Sequence, residues 1–249
     1  MSEKIILFDL FDTLLDKVWF DYDKGLTYLA DTYFDGKREE LKQYASEYRE
    51  RFMLDRNETQ REKSFIDQLV YYENKFGKLL SSLREEIEWE VFSVCREEQL
   101  AVGAKSLLEY LSERGYTLAV LSNSIFSAKT LKRYMEKFGI AQYFSGVVSS
   151  ADISYRKPSR RAFDCVLQAV GAKPSPEIYF IGNKLDKDAM GAFDAGLSPI
   201  LISKYPIVAP CFILKNLVEV KKCLEASYLY VNSISERESL TDGPGLRTV

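Results

Sequence analysis

Residues 5–8, Ile-Ile-Leu-Phe, form an apolar run that stops at a carboxylate, Asp9. Asp12 and Thr13 follow within one short turn. The run predicts a strand over Lys4–Leu10 that is buried on both faces, since no polar residue alternates with the apolar ones. From Val18 to about Glu98 charged and apolar residues mix at helical period, and no strand is predicted. Phe65, Leu69, Tyr72 and Phe76 mark one helical face. Thr59 with Glu62, and Ser82 with Glu85, have the spacing of capping boxes. Four helices are expected, near 20–34, 37–55, 60–76 and 82–97.

Beyond residue 100 strand and helix patterns alternate. The strands are "TLAVLSNS", "GVVSS", "EIYFIG" and, as a last core strand, "SPILIS". The helices between them close on Gly115, Gly139 and Gly171, and "DKDAMGAFDAG" forms a further one. Such alternation predicts a doubly wound α/β fold with a parallel sheet. Ligands in such sheets sit beyond the carboxyl ends of the strands, where Asp9, Ser122 and Asn183 should converge. The expected organisation is a core of residues 1–16 and 101–226, an inserted helical cap of 17–100 over the active edge, and a tail of 227–249.

Composition narrows the chemistry. Apolar residues make up 46% of the 249, enough for a substantial core. A net charge of −3 gives no support to general nucleic-acid affinity. No signal-peptide pattern follows Met1 and no apolar run approaches the roughly 18 residues of a membrane span, so a cytoplasmic protein is expected, as monomer or homodimer. Histidine is absent, which removes His-based triads and metal sites. The cysteines, Cys95, Cys165, Cys211 and Cys223, lack C-x-x-C spacing and read as free thiols.

Four motifs share the predicted edge: "DLFDT", "LSNS", "RKPS" and "IGNKLDKDAMGA". A carboxylate nucleophile, hydroxyl donors, a lysine and the acidic pair Asp186 and Asp188 suit attack on a small anionic substrate. Over residues 4–203 the ordered set, with the insertion after the first motif, resembles the haloacid dehalogenase-like hydrolases with a helical cap. The resemblance implies that Asp9 is the nucleophile, that the Thr13 hydroxyl steadies its loop and that Ser122 binds a substrate oxygen. It further implies that Lys157 neutralises charge around Asp9, and that Asp9, residue 183 and Asp188 hold magnesium.

Two departures stand out. Phosphatases of the family carry a general acid two residues after the nucleophile, where this chain has Phe11. Asp12 is not expected to replace it, because adjacent extended positions face opposite sides. The fourth motif has Asn183 in place of an aspartate, so magnesium is expected to bind only weakly. Family dehalogenases carry an aromatic residue at the Phe11 position and use no metal, and Arg38 falls where they place a substrate-binding arginine. Phe11, Asn123 and Arg38 are therefore expected to contact substrate. Phosphoryl transfer and metal-free dehalogenation both remain open, beside a degenerate scaffold that only binds. Residues 233–249, with "DGPGLR", weakly resemble the opening of radical-SAM activating enzymes.

Overall fold

The computed structural model describes residues 4–209 and 211–226. The tail expected at 227–249 lies outside them. Among the described residues eight strands occur in chain order: β1 (Ile5–Phe8), β2 (Leu15–Phe20), β3 (Arg96–Leu100), β4 (Thr117–Ser122), β5 (Gly146–Ser149), β6 (Tyr179–Gly182), β7 (Ser198–Ile202) and β8 (Phe212–Leu214). The helices are α1 (Tyr22–Tyr33), α2 (Arg38–Phe52), α3 (Arg56–Thr59), α4 (Phe65–Phe76), α5 (Arg84–Val94), α6 (Ala104–Glu113), α7 (Ala128–Lys137), α8 (Ser150–Ile153), α9 (Arg160–Ala169) and α10 (Met190–Asp194). No helix among the described residues is long and apolar enough to cross a membrane.

Six strands form a parallel sheet in the order β5-β4-β1-β6-β7-β8. β1 lies inside it, with Ile6 opposite both Leu118 and Tyr179. Its uniform apolarity follows from that place. Ile6 and Phe8 join the core under α6 and α7, while Ile5 and Leu7 join the core under α9. The chain therefore adds one strand, β8, beyond the expected last one.

The insertion also differs from its expected all-helical form. β2 and β3 pair antiparallel, carrying the chain out of the sheet and back. The β3 sequence, Arg-Glu-Glu-Gln-Leu, has no apolar alternation to announce a strand. Its stability comes from pairing and from buried polar contacts, among them the Tyr134 hydroxyl donating to Glu98 Oε2 at 2.6 Å. The helix starts differ too. Ser64 and Asp67 form the capping box of α4, while Glu62 turns inward and is buried. Ser82 lies in a 3₁₀ turn before α5, whose start has no side-chain cap.

The insertion is fastened to the strand-end loops by directed bonds. Phe65 N donates to Ile125 O at 2.6 Å, Arg156 N to Gln60 O at 3.0 Å and Glu62 N to Ser154 O at 3.1 Å. Glu88, on α5, accepts from Ser127 N and from the hydroxyls of Ser127 and Thr130 at the start of α7. A cavity of about 700 Å³ lies between α1, α2 and these loops.

At the turn before α6, Gly103 has φ +87°, and a Cβ there would lie 2.7 Å from Val218 Cγ2 and 2.8 Å from its backbone nitrogen. Gly103→Ala should therefore lower stability by about 1–3 kcal/mol, read as a lower denaturation midpoint with an unchanged slope.

Candidate active site

The site starts from the ends of three neighbouring strands. Asp9 follows β1 and is locked to the next strand by its backbone N–H, which donates to Ile181 O at 2.9 Å. The residue is 8% exposed. Thr13 Oγ1 donates to Asp9 Oδ2 at 3.1 Å, and Lys157 Nζ donates to Oδ1 at 2.6 Å. The same ammonium reaches Asp188 Oδ1 at 2.7 Å. Asp188 Oδ2 accepts from the backbone N–H groups of Asn183 and Lys184 at 3.0 and 2.8 Å. That carboxylate packs tightly on β6: a Cβ at Gly182 would lie 2.5 Å from Asp188 Cγ. Asp9, Thr13, Lys157 and Asp188 are thus one buried network.

Two buried carboxylates share one buried ammonium. Burial pushes the Asp9 carboxyl up to about 6, Lys157 opposes the shift, and the Asp188 charge adds to it. Burial alone disfavours the charged form of Lys157, yet Asp188 and Asp9 together hold its pKa above the ordinary lysine value.

Ser122 ends β4 and is 1% exposed, and its Oγ has no hydrogen-bond partner among the described residues. Asn123, expected on the substrate, engages both ends of its amide with the Lys157 backbone: Nδ2 donates to Lys157 O at 3.0 Å and Oδ1 accepts from Lys157 N at 2.7 Å. It positions the lysine while still bordering the cavity. Arg38 is no part of the site. It lies exposed on α2 in a two-pronged pair with Asp31, both bonds 2.6 Å.

Phe11 borders the cavity, and the Arg96 guanidinium lies over its ring, 3.8 Å from the centroid. Arg96 and Glu98, two apart on β3, share a side of the strand and pair at 2.7 Å. Asp12 borders the cavity as well. The alternation expected of an extended chain fails here because Asp12 is left-handed, φ 59°, in a turn where Leu14 N and Leu15 N both donate to Leu10 O.

The donor set for a metal is thin. Lys157 and two backbone N–H groups already engage Asp188. Among the described residues the buried Asn183 Oδ1 has no partner, and with the engaged Asp9 and Asp188 carboxylates it would supply the oxygens for a magnesium ion here. Among the described residues no three Asp, Glu or Cys side chains converge as a metal cluster. Asp188 thereby anchors Lys157 and the loop after β6.

Residues 3–196 match the family described as haloacid dehalogenase-like hydrolase. This chain belongs to that family. Among curated proteins, 100 residues are 37% identical to a glyceraldehyde 3-phosphate phosphatase of Methanothermobacter thermautotrophicus, covering 39% of this chain and 42% of that protein. The chain is also 25% identical to the pyrimidine 5′-nucleotidase PynA of Streptococcus pneumoniae over 242 residues, 92% of this chain and 98% of that one. A 2-haloacid dehalogenase structure from Pseudomonas syringae pv. Tomato shares the fold with a TM-score of 0.62 at 19% identity, covering 90% of this chain and 99% of that chain.

Sequence reading missed Arg96, Arg156 and Glu62, all of which border the cavity. Arg156 directly precedes Lys157 in "RKPS", but nothing local marks it as buried.

Because the Asp9 carboxyl titrates above its ordinary 3.8, its ionised form at neutral pH counts against folding. The penalty is present above about pH 6 and vanishes as the pH falls towards 4, where the folded chain holds the proton. Asp9→Asn should therefore raise Tm at pH 7.5, and the gain should shrink towards zero at pH 4 in thermal melts.

Proposed function

We propose that this chain hydrolyses small phosphate esters or acyl phosphates through a covalent phosphoryl intermediate on Asp9. The observation that carries this reading is the buried Asp9–Lys157–Asp188 network with the Ser122 hydroxyl left free beside it at the strand ends. An Asp9 oxygen attacks phosphorus, the bond to the leaving oxygen breaks, and that oxygen departs with the bonding pair. Water then attacks phosphorus, the bond to Asp9 breaks, and inorganic phosphate leaves with the carboxylate restored. Lys157 balances the charge on Asp9 and the transferred group, and Ser122 Oγ–H donates to a phosphoryl oxygen. Thr13 and Asn123 hold the nucleophile and the lysine in place. A bound magnesium ion, held weakly by Asp9, Asn183 and Asp188, would neutralise phosphate charge.

Phe11 supplies no proton to the leaving oxygen. Substrates whose leaving group departs as a stable anion, acyl and aryl phosphates, are therefore favoured over alkyl phosphates by up to the ~10²–10⁴ that a general acid contributes. Support for phosphorus as the centre attacked comes from the sequence relatives, which are named as a phosphatase and a nucleotidase, whereas the dehalogenase likeness is one of fold. A second reading, halide displacement without metal, is favoured by Phe11 and Asn183 alone.

One screen separates the readings: acetyl phosphate, an aryl phosphate, an alkyl phosphate and a 2-haloacid, each with and without magnesium. Turnover of the first two, slower turnover of the third and none of the fourth is expected, with an acid limb near pH 6 as Asp9 gains its proton. Asp9→Asn should abolish turnover while staying folded. Haloacid turnover without phosphatase activity, or an active Asp9→Asn protein, would overturn the proposal.

Asn183→Asp should tighten magnesium binding in a calorimetric titration, since it converts a neutral oxygen into an anionic one at nearly constant size. Equal affinity in the two proteins would remove residue 183 from the metal's surroundings.

A further inference from the structure

Glu62, spaced from Thr59 as in a capping box, is instead 5% exposed and lies against the core. Its place follows from a short antiparallel pairing of two loops. Arg61 lies opposite Tyr155, Arg156 N donates to Gln60 O at 3.0 Å, and Glu62 N donates to Ser154 O at 3.1 Å. Side chains alternate along such a pairing. Arg61 and Tyr155 take the outer side, where the guanidinium lies 4.4 Å from the ring centroid. Glu62 and Arg156 take the inner side, where both are buried. A carboxylate of the insertion is thereby placed beside the residue that precedes Lys157.

Glu62 meets two segments, and both lead to Lys157. On one side its carboxylate faces Arg156 at 3.7 Å, with Arg56 at 3.6 Å. Among the described residues no other carboxylate pairs with Arg156. On the other side stands the buried Ser150 hydroxyl, 3.0 Å from Glu62 Oε2. Ser150 Oγ accepts from Ser124 N at 2.9 Å. The Ser150 proton has a second acceptor in reach, Ser124 O at 3.1 Å, but the charged oxygen is the stronger one. Ser124 follows Asn123, whose amide holds both backbone groups of Lys157. Glu88 is a second buried glutamate of the insertion, and it holds the same loop farther along, at Ser127 and Thr130.

We propose that Glu62 is a positioning residue for the reaction at Asp9, fixing the Lys157 backbone from both sides through Arg156 and through Ser150 and Ser124. This rests on the reading of Asp9 as the reacting group. The 2.6 Å contact between Lys157 Nζ and Asp9 depends on where the lysine backbone lies, and Glu62 joins the two supports of that backbone. Seating of the insertion on the core then sets the ammonium that balances the nucleophile. Loss of the Glu62 charge would leave Arg156 buried without its carboxylate. The strain is relieved when Arg156 moves towards water, and the lysine backbone moves with it.

Glu62→Gln tests this, because it keeps the size and an acceptor for Ser150 but removes the charge. Glu88→Gln is the matched comparison: it loosens the same insertion without touching either support. Two readouts are taken on each full-length protein. The first needs no turnover. It is amide hydrogen exchange at Ser124 and Lys157, whose N–H groups are bonded to Ser150 and Asn123. Relative to the amides of β4, Glu62→Gln should speed both by at least about tenfold, and Glu88→Gln by less than about threefold. The second is the split between kcat and KM with acetyl phosphate. Glu62→Gln should lower kcat by about 10- to 100-fold and hold KM within about threefold, since the lost group acts on the lysine and not on the substrate. Glu88→Gln should hold both within about threefold. If Glu62→Gln does not fold, Ser150→Ala cuts one of the two supports, and exchange at Lys157 should then rise by at least about threefold. Unchanged exchange at Lys157 would overturn the proposal. So would a raised KM with kcat intact, which makes Glu62 a substrate contact, and so would equal losses in the two glutamate variants, which make both mere fastenings of the insertion. Faster exchange in Glu62→Gln with no acetyl phosphate turnover by the wild type keeps Glu62 as the support of Lys157 and removes the hydrolase reading instead.

Discussion

The Lys157 ammonium between Asp9 and Asp188 is the contact on which the active edge depends. Lys157 is 2% exposed, and a buried ammonium without partners would cost several kcal/mol. It is tolerated because two carboxylates meet it at 2.6 and 2.7 Å, one from the loop after β1 and one from the turn after β6. Each carboxylate has further support: Thr13 for Asp9, and two backbone N–H groups for Asp188. The lysine's own backbone is held by Asn123 after β4. Loops after three strands are therefore joined through one lysine. Removing Lys157 would leave two buried carboxylates without their cation.

That balance gives a physical account of the two departures from the family's phosphatase pattern. The site already holds two carboxylates against one ammonium. A third carboxylate at residue 11 and a fourth at residue 183 would add negative charge that only a bound cation could offset. With Phe11 and Asn183 in their places, the charges nearly close without a metal. Phe11 also has a packing role, because its ring lies under Arg96, which is itself paired with Glu98. The strand pair β2–β3 thus reaches back to the loop that carries the nucleophile. This ties the entry and exit of the insertion to the reacting carboxylate.

The helical insertion is joined to the core through polar contacts as well as apolar ones. Backbone bonds link residues 60–65 to the loops after β4 and β5, and the buried Glu88 is anchored at the start of α7. Bonds of this kind fix distance and direction, where apolar contact alone would allow sliding. They set the size of the cavity and bring arginines of the insertion to the same face as Arg156.

The sequence by itself determined the sheet, the order of its parallel strands' motifs and the chemical type of the site. Apolar runs such as residues 5–8 and the strand–helix alternation after residue 100 report burial directly, since a strand covered on both faces must be apolar throughout. The candidate residues Asp9, Thr13, Ser122 and Asp188 were legible because each lies at or just beyond a strand end, where a parallel sheet presents its ligands, and Lys157, in the turn before α9, was legible from its motif. Only the tertiary structure decided what their neighbours do. β3 carries no apolar alternation, so its pairing with β2 left no pattern to read. Arg38 and Arg156 are alike as sequence, two arginines in charged surroundings. One is exposed on α2 against Asp31, and the other is buried beside the cavity. Asp12 faces the cavity because a left-handed turn breaks the alternation that an extended chain would impose. Periodicity encodes which face of an element is buried. Which charged side chains meet across elements depends on how those elements pack, and no local pattern carries that information.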